Sequence, residues 1–391
     1  MYAPNSDYRL NPARAIYISG QIGADMVTRL TPQILRLQHV SREPISVYID
    51  SPGGVVVSME AILRLLRMTN QDSSEPCRII TAVSNRAASA AADLLSSGDY
   101  AIAFPSSSIL YHGIRRYEQD ALTLESTASL ANLLRFGNDY YAMELARKIT
   151  DRFSFMYAWN RNEFPAVRTQ ANNPNLSDLD CFVITIKEKL SDKAKHVWEK
   201  AASRNKMYES LFSTLLKKVK RKPLDSATMA QLEADAIKAI VDFELARNKG
   251  NPQWRFRTGG IGQVAEDFFI LQEYMNNYNS DHLRNWCKLW GRWLLTKEQV
   301  TEIEKLPDEE QKQKALVDAS RPMLQPIWSF FVALCHALQE GENEFTSTDA
   351  YWFGLVDEVM GRSDMAPIRM VAEFRPDEPN VPATLPEATH G

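Results

Sequence analysis

The sequence lacks the features that mark several large classes of protein. No apolar stretch approaches the roughly 20 residues that a membrane-spanning helix needs, and the first residues, MYAPNSDYRLNPAR, contain no apolar core of a secretory signal. The four cysteines are scattered without a CxxC pair, and the six histidines form no HxxxH or HExxH pattern. We therefore expect a cytoplasmic protein with reduced thiols, no membrane contact and no metal site.

A strong excess of one charge is also missing. The formal net charge is −4 and the isoelectric point is near 6.0, which gives no reason to expect nucleic acid as a partner. Hydrophobic residues make up 45% and charged residues 24% of the chain, as in ordinary globular proteins. At 391 residues the chain is too long for one ordinary core, so two or three structural units are expected.

Short strands and helices alternate over the first third of the chain. The predicted strands are 13–19, 45–50, 77–83, 100–104 and 108–112, and the predicted helices are 24–40, 55–68 and about 87–97. Such alternation with short connections indicates a largely parallel sheet with right-handed crossovers. Beyond this region the pattern becomes helical, with one long helix over 122–153, charged amphipathic segments over 178–320 and an apolar helix over 325–340. A last strand-like segment follows at 355–360.

The stretch SNRAASAAADLLSSGD surrounds Ser89 with small side chains. Ser89 follows a predicted strand, Gly54 ends the Ser-Pro-Gly-Gly turn after another strand, and His112 ends a third. Ligands of parallel sheets lie at the carboxyl ends of the strands, and a histidine base is the usual activator of a serine nucleophile. The backbone N–H groups of Gly54 and Ala90 are suited to bind an oxyanion. The alternative is that Ser89 is only a small residue of a buried helix.

Several motifs then resemble, in the same order, those of the ClpP-type serine peptidases. They are RAIYISGQIG, YIDSPGGVV, the AAS of NRAASAA, ILYH and FTSTDAYWFGLVDEV, and together they cover roughly 12–153 and 325–360. The resemblance implies an α/β fold with a ClpP/crotonase-like ββα-repeat core and a mainly α-helical insertion. It also implies that Ser89 is the nucleophile, His112 the general base, and Gly54 and Ala90 the oxyanion-hole donors, with no cofactor.

The resemblance carries expectations about partners as well. Peptides or unfolded proteins are the expected substrates, and a homo-oligomeric ring is the expected assembly, with helix 122–153 matching the handle helix by which such rings pair. An AAA+ unfoldase, which would make proteolysis ATP-dependent, is a candidate partner. Neither nucleic acid nor a membrane is expected as a partner.

The chain departs from the family pattern in its length and around Ser89. The family usually has Gly-Gln before Ala-Ala-Ser and a glycine two residues after the serine, where this chain has Asn85-Arg86 and Ala91. The expected domains are a first core part at 1–155, a helical insertion at 156–324, a closing core segment at 325–372 and a disordered tail at 373–391. The family has only a short connection in place of the insertion.

The third member of a serine–histidine–aspartate triad is missing from its usual place. Counting back from the FTS segment reaches Gln339 or Leu338, and neither side chain is acidic. Glu340 is the best candidate for the carboxylate that orients His112, and Glu342 and Glu344 are the other carboxylates nearby. Loss of the orienting carboxylate lowers the activity of such a site without abolishing it.

Three functions from different classes remain open. The first is a serine endopeptidase that hydrolyses peptide bonds through an acyl-enzyme. The second is a catalytically impaired relative that serves as a scaffold or interaction protein, which the missing aspartate allows. The third is a crotonase-type acyl-CoA enzyme, in which the Gly-Gly turn would bind a thioester oxyanion. The serine–histidine pair argues against the third, because that chemistry does not need it.

Overall fold

The described strands form one mainly parallel β-sheet. The computed structural model describes residues 8–69, 75–115, 123–219, 234, 281–362 and 365. Its strands are β1 (Ala15–Ser19), β2 (Ile45–Ser51), β3 (Ile79–Ala88), β4 (Tyr100–Ala103), β5 (Ser108–Tyr111), β6 (Asn343–Thr346) and β7 (Glu358–Val359). The order β1-β2-β3-β4-β7 is parallel throughout, β5 runs parallel beside the end of β3, and β6 is antiparallel to β5.

Helices make up most of the remaining described chain. They are α1 (Ala24–Val40), α2 (Val56–Leu66), α3 (Ala90–Ser96), α4 (Leu124–Asn160), α5 (Phe164–Gln170), α6 (Asp178–Lys189), α7 (Asp192–Val219), α8 (Asp281–Leu294), α9 (Lys297–Glu304), α10 (Glu309–Gln339) and α11 (Ser347–Trp352). This architecture confirms the predicted α/β class with a parallel sheet and a large helical part. None of the described helices is both long and apolar enough to cross a membrane.

The start of α3 differs from the sequence-based expectation. A helix was expected from about residue 87 because alanine is a strong helix former. In the structure, β3 continues to Ala88, because Ala87 and Ala88 pair with Ile109 and Leu110 of β5. Strand pairing therefore overrides local propensity, and the chain turns into α3 only at Ser89.

Contacts divide the chain into two compact units. The first comprises the described residues within 1–115, 141–197 and 337–391, including the sheet, and the second those within 116–140 and 198–336. Much of the expected insertion at 156–324, and the expected disordered tail at 373–391, lie outside the described residues. The boundaries of the four expected domains stay a prediction.

The second unit has its own buried aromatic and polar contacts. Trp286 and Trp290 of α8 are buried, and Trp198 packs against Phe330 of α10 with ring centroids 4.6 Å apart. His336 is buried with its Nδ1 3.7 Å from a carboxylate oxygen of Asp139. These residues therefore pack in the interior of the second unit.

A buried ion pair holds α4 against the end of the sheet in the first unit. Arg152 Nε donates to Asp357 Oδ2 at 2.9 Å, and both side chains are at most 4% exposed. The guanidinium also donates to the Leu355 carbonyl at 2.8 Å, and Asp357 accepts the N–H of Ala101 at 2.8 Å. The pair is thus supported by further hydrogen bonds to the main chain, which a buried charge needs in order to be stable.

Replacing Asp357 by Ala should therefore lower the free energy of unfolding by about 3–5 kcal/mol, because it leaves the buried Arg152 charge uncompensated. Urea denaturation followed by circular dichroism measures the loss. Arg64→Ala, which removes the exposed Arg64–Glu60 pair, is the control and should cost less than about 1 kcal/mol. Similar losses of unfolding free energy in the two variants would show that the buried pair stabilises the protein no more than the exposed pair does.

Candidate active site

Ser89 occupies a strained turn between β3 and α3. Its φ and ψ are 56° and −129°, a conformation that residues other than glycine rarely adopt. Its N–H donates to the Leu110 carbonyl of β5 at 2.8 Å, and its carbonyl accepts the N–H of Ala92 at 2.8 Å. Serine often caps a helix through its hydroxyl, but the Ser89 side chain makes no capping hydrogen bond to α3. The hydroxyl is therefore left available for another contact.

The Ser51–Gly54 loop lies directly against this turn. Gly53 has a φ of +91°, and a Cβ built on it would lie 2.4 Å from the Ala88 carbonyl oxygen and 2.8 Å from the Ser89 Cβ. Gly54 has a φ of +152°, and a Cβ there would lie 2.1 Å from the Ile22 carbonyl oxygen. Both positions therefore require glycine, one because of the Ser89 turn and the other because of the neighbouring main chain.

The loop itself is held by hydrogen bonds that leave one N–H group unused. Ser51 Oγ donates to the Gly20 carbonyl at 2.6 Å and accepts the Gly53 N–H at 3.1 Å. The Ile22 N–H donates to the Gly53 carbonyl at 2.8 Å. Within the described residues, no acceptor is found for the N–H of Gly54 or of Ala90, the first residue of α3. Two backbone donors beside the Ser89 turn are thus free to bind an anionic oxygen.

Replacing Gly53 by Ala should cost about 2–4 kcal/mol of unfolding free energy, since the added Cβ meets backbone and the positive φ becomes strained. Chemical denaturation measures this cost. Gly23→Ala is the matched control, because a Cβ there meets nothing within 4 Å. Equal stability of the two variants would contradict the close contact between the loop and the Ser89 turn.

His112 follows β5, the strand that pairs with the end of β3. The preceding Tyr111 is buried, and its hydroxyl donates to the Ala92 carbonyl at 3.1 Å and lies 2.5 Å from Ser96 Oγ, which ties the end of β5 to α3. The sequence analysis did not identify Tyr111 as a positioning residue. His112 itself is partly buried.

A backbone carbonyl sets the tautomer of the His112 ring. Nδ1 of His112 lies 2.6 Å from the carbonyl oxygen of Gly113. A carbonyl can only accept, so the proton of the neutral ring is on Nδ1, and Nε2 is the nitrogen with the free lone pair. A ring in this state is ready to accept a proton at Nε2.

The three glutamates before the FTS segment occupy different positions. Glu344 lies on β6 opposite Leu110, and Asn343 lies opposite Tyr111. Among the described contacts, the hydrogen-bond partner of the His112 ring is Gly113 and not Glu340, whose carbonyl accepts the Asn343 side-chain amide at 3.1 Å. The proposed role of Glu340 stays a prediction, as do the roles of the other candidate site residues.

Glu342 has an electrostatic interaction with His112. Arg115 Nη2 donates to Glu342 Oε1 at 2.6 Å. This hydrogen bond and the Arg115 charge hold the pKa of the Glu342 carboxyl below its usual range, and the charges of His112 and Arg86 act in the same direction. Sequence reasoning ranked Glu342 below Glu340, because it did not predict that β6 pairs with β5.

Asp93, one helical turn after Ser89, is a carboxyl group that the sequence analysis did not consider. Burial raises the pKa of Asp93 from 3.8 to about 7. Its neighbours along α3 are buried alanine and leucine side chains. In the described part of the chain, no group of three or more histidine, cysteine or acidic side chains is arranged to hold a metal ion. Asp93 is therefore a lone titratable group rather than part of a ligand set.

Asp93→Asn should stabilise the protein at pH 8. The unfolded state loses the Asp93 proton near pH 4 and the folded state only near pH 7, so the parent protein loses stability as the pH rises between these values. Melting temperatures should show a gain for the variant that is constant above about pH 7, shrinks below it and disappears near pH 4. The exposed Asp318, replaced by Asn, should show no such pH-dependent gain. An equal gain at pH 4 and pH 8 would contradict the raised pKa.

A family model and a curated relative each match part of this chain. Residues 4–133 match the family model described as Clp protease. Over 108 residues the chain is 34% identical to the ATP-dependent Clp protease proteolytic subunit of Carsonella ruddii (strain PV). That match covers 27% of this chain and 53% of the relative, so the chain spans about half the length of the curated protein it matches.

Proposed function

We propose that this chain is a serine endopeptidase, because residues 4–133 match the Clp protease family model. The match to this family and to the proteolytic subunit supports a protease-type function. The proposal adds that Ser89 attacks the peptide bond, that His112 is the base, and that an acyl-enzyme is the intermediate. Glu340 is kept as the sequence-based prediction for an orienting carboxylate.

The observation that carries the proposal is the turn at Ser89. A serine with a left-handed φ of 56°, at the junction of a parallel strand and a helix, presents its hydroxyl at the carboxyl end of the sheet. Such strain is retained in proteins mainly where function requires it. The unused N–H groups of Gly54 and Ala90 adjoin the same turn, and His112 follows the strand next to it.

The proposed reaction gives a role to each of these groups. His112 Nε2 accepts the proton of the Ser89 hydroxyl while the oxygen attacks the peptide carbonyl carbon. The Gly54 and Ala90 N–H groups stabilise the negative charge that forms on the carbonyl oxygen. The imidazolium then gives its proton to the leaving amine, and a water molecule, activated by the same histidine, hydrolyses the acyl-enzyme.

Substrate and assembly belong to the proposal as well. The relative's name describes a proteolytic subunit of an ATP-dependent protease. For this chain we propose peptides or unfolded proteins as substrates, a homo-oligomeric ring as the assembly, and an AAA+ unfoldase as the ATP-dependent partner in the cytoplasm. The Ser–His chemistry itself needs no cofactor.

One observation favours a second candidate function. Among the described contacts of the His112 ring, the hydrogen-bond acceptor is a backbone carbonyl rather than a carboxylate, and a lost carboxylate lowers the rate of such sites. A catalytically impaired scaffold or interaction protein is therefore the alternative. No specific contact favours the crotonase-type acyl-CoA enzyme.

Ser89→Ala and His112→Ala should each lower the turnover of small fluorogenic peptides by roughly 10³-fold or more, and the double variant should be little worse, because the two groups act as one unit. Ser84→Ala, at an exposed serine of β3, is the control and should retain full activity. Far-UV circular dichroism shows whether each variant is folded. Undiminished turnover in Ser89→Ala would rule out Ser89 as the nucleophile of a peptidase. If the rate loss of the double variant equalled the product of the two single losses, His112 would not act together with Ser89.

A further inference from the structure

Three basic side chains from two segments converge on the carboxylate of Glu342. Arg115, three residues after His112, forms the 2.6 Å ion pair with it. His112 and Arg86, the latter near the end of β3, interact with the same carboxylate through their charges. The carboxylate thus forms an ion pair with Arg115 and interacts electrostatically with the candidate base and with Arg86.

Backbone pairing holds this cluster together. Tyr111 of β5 pairs with Asn343 of β6, so the next residue outward on each strand is His112 and Glu342 respectively. The Asn343 side-chain amide donates to the Leu338 carbonyl at 2.7 Å, which fixes the turn between α10 and β6. Glu342 is therefore held next to the His112 segment by main-chain structure and not only by the exposed ion pair.

The charges of this cluster bear on the proposed reaction. When His112 takes the Ser89 proton, the ring becomes an imidazolium, and a nearby carboxylate stabilises that positive charge. Arg115 opposes the effect, because it donates a hydrogen bond to the same carboxylate and offsets the negative charge that the ring would otherwise meet. An Arg115–Glu342 pair therefore gives His112 less stabilisation than a free Glu342 carboxylate would.

We propose that Glu342 is a positioning residue that stabilises the charged form of His112, and that its ion pair with Arg115 restrains the catalytic rate. The proposal rests on the proposed serine peptidase function. It assigns the carboxylate role to the residue that precedes β6, the strand antiparallel to β5, and it adds an autoinhibitory contact.

The experiment measures kcat and KM on a fluorogenic peptide for four variants. Arg115→Ala should raise kcat two- to fivefold with little change in KM, because Glu342 is released. Glu342→Gln should lower kcat by a similar factor, and Glu342→Asp should restore part of it. The double variant Arg115→Ala/Glu342→Gln should match Glu342→Gln alone, because Arg115 acts through Glu342.

Two further variants serve as controls. Glu344→Gln removes the neighbouring carboxylate of β6, and Lys305→Ala removes an exposed cation of the helical unit, so both should leave kcat unchanged. The proposal would be overturned if kcat did not rise in Arg115→Ala or did not fall in Glu342→Gln. It would also be overturned if the rise in kcat persisted in the double variant. A loss confined to Glu340→Gln would overturn it in favour of Glu340. The Ser89→Ala variant tests the peptidase function separately. If turnover depends on Ser89 but the Arg115 and Glu342 variants leave kcat unchanged, the role of Glu342 is refuted and the peptidase function is not.

Discussion

The close contact between the Ser51–Gly54 loop and the Ser89 turn is the constraint on which the rest of the site depends. A Cβ on Gly53 would lie 2.4 Å from the Ala88 carbonyl oxygen, so the two backbones approach without any intervening side chain. Ala88 and Ala90, on either side of Ser89, are at most 3% exposed. The close approach of the loop and the packing of α3 leave no room there for residues larger than alanine. The same contact brings Gly53, the neighbour of Gly54, close to the first N–H of α3, since a Cβ on Gly53 would lie 3.2 Å from Ala90 N.

The tautomer of His112 is the one that the proposed serine–histidine pair requires, although the usual aspartate is missing. A carboxylate normally does two things for the base: it fixes the ring orientation and it stabilises the positive charge. In this chain the Gly113 carbonyl, 2.6 Å from Nδ1, performs the first. A neutral carbonyl stabilises the positive charge of the ring less than a carboxylate does. In the proposed mechanism, this stabilisation therefore depends on a nearby carboxylate, and for that reason the Arg115–Glu342 ion pair affects the rate.

The sequence predicted the parts of the fold that depend on local pattern. The alternation of apolar strands and amphipathic helices was sufficient to predict the parallel sheet, and the order of SPGG, AAS and YH motifs led to the candidate site. The sequence pattern was not sufficient to predict β6. Its residues, Asn343–Thr346, include only one apolar side chain, Phe345, and the strand with which it pairs, β5, is far away in the sequence. The position of Glu342 beside His112 follows from that pairing. The buried Arg152–Asp357 pair was missed for the same reason, since its partners are about 200 residues apart.

Labelling with a fluorophosphonate probe tests the central claim, an activated Ser89, most directly. The probe forms a covalent bond only with a serine whose hydroxyl is activated by a base and whose site stabilises the developing oxyanion. Mass spectrometry of the digested full-length protein should find the modification on the peptide that contains Ser89, and His112→Ala should strongly reduce it. Absence of labelling, or a modification on another serine with Ser89 untouched, would contradict the account.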